Sequence, residues 1–170
     1  MQNIGPAKRS LAWVIDLSVE VSIAIGGFAI LYFPALIVVG ATGDYGLEGL
    51  SYAFVYTVLG AGVLLILWWA STIVMIAKRG WTPGCNAIDV RIVRAGGGRL
   101  GWGRSALRVL IGKGLWHVPL LAAWSSESFL TSTVGSCIAL AYTLSHAWVF
   151  RGGAGVSATD LLVGSRVVKL

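Results

Sequence analysis

Asp16 and Glu20 are the two residues of this chain whose chemistry conflicts most with their setting. They stand in AKRSLAWVIDLSVEVSIAIGGFAILYF, residues 7–33, a run that otherwise reads as one apolar helix. An ionised acid at the middle of a membrane helix costs about 2.5–3.5 kcal/mol on insertion scales. Each must therefore face a protein interior, carry a proton or meet a cation. Four residues apart, the two share a helix face, and Arg9, seven residues before Asp16, falls on nearly the same face. If the hydrocarbon begins near Leu11, a rise of 1.5 Å per residue sets Asp16 about 7 Å deep and Glu20 about 13 Å deep.

The bases that could answer them are Arg9 itself and, far along the chain, Arg108, Lys113 and His117. Lys113 and His117 are again four residues apart. Two kinds of chemistry follow. In the first, Asp16 with Arg9 or Arg108 forms an inter-helix ion cluster that fixes helix register. In the second, Glu20 or Asp16 titrates or binds a cation on a transport path. Burial raises a carboxyl pKa and a neighbouring guanidinium lowers it, so the residue types alone leave both open.

The elements that must position these groups are written in the composition. Of 170 residues 56% are hydrophobic and 12% charged, against roughly 25% charged in a soluble domain. This excludes a soluble globular class and implies an integral membrane protein. The N-terminal run outlasts the roughly 7–15 apolar residues of a signal peptide and contains two acids, so it is expected to stay as a span. Val21–Gly43, Gly49–Ala77 and Ser128–Phe150 are uncharged and long enough for about 20-residue helical crossings. A fourth stretch, Ser105–Trp124, is shorter and carries Arg108, Lys113 and His117. The expected spans are 10–40, 51–77, 106–124 and 129–150.

The formal charge of +6, from 13 Lys and Arg against 7 Asp and Glu, is unevenly laid out. GATGDYGLEG between the first two runs has two acids and no base, and SSES before the last has Glu127. Lys8 and Arg9, the connection from Lys78 to Lys113, and Arg151, Arg166 and Lys169 hold all the bases. With four spans every basic segment lies on one side, so both termini are cytoplasmic, at the plasma membrane. If 106–124 lies in the interface instead, three spans put the tail outside. The bases read as orientation signals and contacts to anionic lipid head groups, with no nucleic-acid role.

Within the basic connection, WTPGCNAIDVRIVRAGGGRLGWGRSALR opens with a Thr-Pro-Gly turn, alternates as a strand over AIDVRIVR and turns at AGGGR. This predicts a small β-hairpin-like element. Cys85 and Cys137 fit no metal or redox pattern and read as reduced thiols. His146 has no second ligand at helical spacing. Gly26, Gly27, Gly60, Gly62 and Pro34 permit close helix approach or a bend, and Trp13, Trp81, Trp102 and Trp148 suit interfacial positions. No nucleophile–base pair, phosphate loop or metal constellation points to an enzyme, and no cofactor is implied.

Three segments in order, KRSLAWVID, RGWTPGCNAIDVRIVRAGGGRLGWGRSALR and ATDLLVGSRVVKL, resemble the RDD family of small multi-pass membrane proteins. The resemblance makes Arg9 the name-giving arginine, Asp16 the first aspartate and Asp160 the second. Cys85 stands where that family usually has lysine, and Thr159 where it usually has histidine before the aspartate. It implies either an accessory module of a larger membrane assembly or cation/proton exchange. By residue chemistry alone, Asp160 follows RGGAGVSAT as a helix N-cap or a salt-bridge partner of the basic connection.

The expectation is thus a single domain over residues 1–170: an all-α bundle of four transmembrane helices, the third short and polar, with a small basic cytoplasmic element. Its function is that of an accessory or structural subunit docking through the basic face, held by the Arg/Asp/Glu cluster; the alternative is a small cation/proton exchanger. Expected partners are the bilayer and other membrane subunits or further copies of itself.

Overall fold

Helix-favouring apolar sequence runs uninterrupted from Pro6, a residue suited to a first helical position because its missing N–H has no partner to lose there. The computed structural model, which describes residues 4–43, 46–114, 130–138 and 156–169, carries α1 from Pro6 to Thr42, straight through Pro34. α2 runs Leu47–Arg79. At 37 and 33 residues these reach about 55 and 50 Å at 1.5 Å per residue, well over the roughly 30 Å of hydrocarbon. Both are long and apolar enough to cross a membrane, and in their most apolar stretches only 6% and 11% of residues are buried. Core helices of a soluble protein would be covered.

Beyond α2 the elements are short. α3 is Pro83–Ala87, capped by Thr82, whose hydroxyl accepts from the Cys85 N–H at 3.3 Å. β1 is Val90–Arg94. α4, Trp102–Val109, passes into a π-helical turn, Leu110–Gly114. Residues 130–138 are helical. α5 is Ala158–Val163 and β2 is Ser165–Lys169. The molecule is mainly helical, with two long apolar helices and one antiparallel two-stranded sheet. Only the first two expected spans fall wholly on such helices; most of 106–124 and 129–150 lies outside the described residues.

The sheet corrects the expected hairpin. AGGGR does turn, with Gly97 and Gly98 at positive φ and the Arg94 N–H bonded to the Gly98 carbonyl at 3.0 Å. The chain then enters α4 instead of returning as a strand. β1 pairs with β2 from the far end of the chain, Val90 opposite Lys169 through Arg94 opposite Ser165. Val90, Ile92, Val167 and Val168 are buried. A local turn signal fixes a reversal but cannot name the strand that pays it back with hydrogen bonds.

The chain divides into two compact units, Asp16–Ser71 and Met1–Ile15 with Thr72–Leu170. In the first, α1 and α2 pack antiparallel: Gly27 receives Leu64 and Gly60 receives Leu31. A Cβ on Gly27 would sit 2.7 Å from Leu64 Cδ1, and one on Gly60 2.5 Å from Leu31 Cδ1. Small residues let helices approach in lipid. Phe28 stacks on Tyr32 and meets Phe54 edge-on. Gly60→Ile is expected to lower the thermal unfolding midpoint, costing about 1–3 kcal/mol by overpacking. Gly62→Ala, whose Cβ meets nothing within 4 Å, is expected to be neutral or mildly stabilising by relief of glycine's backbone entropy. Thermal unfolding in detergent reads both; the reverse order would contradict this packing.

In the second unit Gly80 ends α2 at φ 74°, its N–H bonded to the carbonyls of Met75 and Ile76. The Ile92 N–H donates to the Gly80 carbonyl at 2.6 Å, and a Cβ on Gly80 would lie 3.1 Å from the Ile92 carbonyl oxygen. Only glycine joins helix end to sheet this closely.

Candidate functional site: a buried arginine–aspartate knot

The site is assembled around α5. Ser157 is the N-cap, in extended conformation, and Asp160 stands three residues on: a capping box. The Asp160 N–H donates to Ser157 Oγ at 3.2 Å, and the Ser157 N–H donates to Asp160 Oδ2 at 3.3 Å. The carboxylate is thereby aimed before any distant residue reaches it. Gly164 then turns the chain into β2, whose first residue, Ser165, donates its hydroxyl to Asp160 Oδ1 at 2.7 Å.

Two arginines close on this carboxylate from other elements. Arg108 of α4 donates through Nη1 to Asp160 Oδ1 and, at 2.5 Å, to Ser165 Oγ. Arg9, in the first turn of α1, pairs through Nη2 with Asp160 Oδ2 and donates to Ser157 Oγ at 3.4 Å. The Ser157 hydroxyl donates in turn to Oδ2 at 3.0 Å. Asp160 is fully buried and Arg9 nearly so. Its carboxylate takes five donors: Arg9, Arg108, both serine hydroxyls and the Ser157 N–H. An ionised carboxylate offers about four lone-pair sites, so nothing is left to accept a substrate's proton. Two guanidinia against one carboxylate is an ion knot that ties α1, α4, α5 and β2, and charge-assisted bonds of this kind are the strong ones.

The acid that the structure brings to both Arg9 and Arg108 is Asp160. Of the two roles read for Asp160, helix N-cap or salt-bridge partner of the basic connection, the structure shows the salt bridge, to Arg108, with Ser157 at the N-cap. Ser157-x-x-Asp160 is a capping-box spacing and could have been found; Ser165 carried no such signal. Asp16 and Glu20 belong to the other unit, where both are buried. Glu20 Oε1 accepts from the Trp69 Nε1–H at 2.9 Å, a partner the sequence did not announce. Lys113 sits half-buried in the π-helical turn, and His117 lies outside the described residues. Cys85 and Cys137 are free thiols, buried and exposed respectively. Among the described residues no group of three metal-ligating side chains occurs.

Two long, uncovered apolar helices and a polar unit cross-tied by a buried ion knot define a mainly helical membrane protein. The chain belongs to the RDD family, whose family model matches residues 4–149. That match takes in Arg9, Asp16 and Arg108 and ends before Asp160. No curated protein and no solved structure matches the chain.

Proposed function

We propose that the protein is an accessory or structural subunit of a larger membrane assembly, docking through its basic face, with no enzymatic activity. The observation that carries this reading is the saturation of Asp160. This cluster spends every acceptor of Asp160 on joining elements, and Asp160 is left with no open site to take a proton or hold a substrate. The exposed Arg91, Arg94, Arg166 and Lys169 of the sheet supply a docking surface. In the same reading the chain is one domain with four spans, 10–40, 51–77, 106–124 and 129–150, in the plasma membrane. Both termini are cytoplasmic, because that arrangement collects every basic segment on one side.

One observation favours a second reading, cation/proton exchange. Glu20 is 5% exposed on a helix of otherwise apolar character, hydrogen-bonded to the Trp69 indole, and buried acids of membrane helices mark ion and proton paths. The full-length protein, purified in gentle detergent and reconstituted in liposomes, separates the two. A subunit leaves an imposed pH gradient intact on addition of Na+ or K+ and purifies from its native membrane in fixed stoichiometry with other chains or copies of itself. Collapse of the gradient by the unsubstituted protein, abolished in Glu20→Gln at equal incorporation, would overturn the subunit reading.

A further inference from the structure

α4 is built inside out. Its inward side carries Ser105, fully buried, and Arg108, committed to Asp160. Its outward side carries Trp102 and Leu107, continued by Leu110 of the π-helical turn; these are 55%, 45% and 54% exposed. At about 100° per residue Gly103, Ala106, Leu107 and Leu110 form one stripe, with Trp102 at its margin. A helix facing water shows the reverse pattern, and an apolar stripe left open in this way marks a binding surface. Arg99, exposed, precedes the stripe, and Lys113 follows it.

Charge says what covers it. All 13 lysines and arginines of the chain fall in the unit that contains α4, with only Asp89, Glu127 and Asp160 of the 7 acids. Asp160 is already matched by Arg9 and Arg108. The same unit includes Thr72–Arg79, the closing turns of α2, so its own chain tethers it to the end of a membrane-length helix. Arg79 lies over the Trp81 ring, 5.5 Å from its centroid, beside that end.

We propose that the outward face of α4 is a lipid-contact surface. Trp102, Leu107 and Leu110 enter the boundary between head groups and acyl chains of an anionic leaflet, and Arg99 pairs with lipid phosphates at the head-group end of the stripe. Amphipathic helices bind membranes in this manner, by apolar insertion together with attraction of bases to anionic lipid. Tryptophan belongs at that depth, and long basic side chains reach from apolar surface to phosphate. A second copy of the chain would instead bring the same bases against these. The inference does not rest on the subunit reading; an exchanger could seat α4 in the same way.

The test uses the full chain in nanodiscs of phosphatidylcholine, with and without phosphatidylglycerol. In a Cys137→Ser background, nitroxide labels on Leu107→Cys and Leu110→Cys are expected to collide more with oxygen than with a water-soluble nickel chelate. A label on Arg94→Cys is expected to show the opposite. Phosphatidylglycerol should shift the Leu107→Cys label further toward oxygen, and adding Arg99→Glu should abolish that shift. Labels at 107 and 110 that behave like the one at 94, or that are shielded from both reagents by protein, overturn the proposal. No response to phosphatidylglycerol overturns its anionic part. Where a variant fails to elute like the unsubstituted chain, the latter supplies the answer: a lipid-borne diazirine should label a peptide containing residues 102–110, and its absence from the labelled peptides overturns the inference equally.

Discussion

Asp160→Asn is expected to unfold the unit that contains the knot at markedly lower temperature, with a loss of about 3–5 kcal/mol, the range for breaking a buried ion pair by removing one partner. Asparagine keeps the side chain's shape, and its carbonyl can still accept from the Ser157 N–H, so the capping role largely survives. What disappears is the single negative charge between Arg9 and Arg108, whose side chains are 8% and 15% exposed. Two guanidinia then face each other in a buried setting. Arg9→Met or Arg108→Met should be milder, because each leaves a one-to-one pair and fills the vacated volume with apolar side chain. The order of damage, acid first and either base second, is the signature of this geometry. A double-mutant cycle between Asp160→Asn and Arg108→Met should show coupling of about 0.5–3 kcal/mol, read from thermal unfolding in detergent. An Asp160→Asn protein that melts with the unsubstituted chain would mean that the knot contributes nothing to stability.

How far the sequence reaches is visible in these same residues. α1 and α2 were legible because length and apolar composition are local properties, and a bilayer demands both. β1 was legible from its alternation, but its partner was not: Ser165–Lys169 lies about 70 residues further on, and nothing in VRIVR distinguishes SRVVK from any other valine-rich run. Asp160 could be recognised as a salt-bridge partner of the basic connection, since a lone acid beside many bases has few alternatives. That Arg9 would join it could not be read, because Arg9 and Asp160 are held together only by the folding of everything between them. Glu20 shows the same limit in the other unit, since an indole donor on a second helix has no counterpart in helical spacing. For α4, Arg108 was expected to meet a carboxylate inside the protein, and it does so at Asp160; that Leu107 and Leu110 would stand outside was not read.

Removing residues 165–170 is expected to release β1 without melting the long helices. Val167 and Val168 are 4% and 2% exposed, and Val167 lies opposite Ile92, itself 2% exposed. Burying a valine side chain contributes about 1.5–3 kcal/mol, so the two together account for about 3–6 kcal/mol, an upper figure because the unfolded tail already buries part of that surface. The truncation also takes the Ser165 hydroxyl from Asp160 and Arg108, while Arg9, Arg108 and Asp160 stay in the chain. Ser165→Ala isolates that part and should cost only about 1 kcal/mol, the net value of a typical hydrogen bond. The contrast is therefore between losing a strand and losing a contact. Hydrogen exchange by mass spectrometry should show the amides of Val90–Arg94 losing protection in the truncated chain and nearly keeping it in Ser165→Ala. The residues from Asp16 to Ser71, which form their own compact unit, should exchange as before, and far-ultraviolet dichroism should retain its helical signal. Protection of Val90–Arg94 that survives removal of the tail would show that β1 is held by Gly80 and its other neighbours alone, and that the second strand is a passenger on a surface already formed.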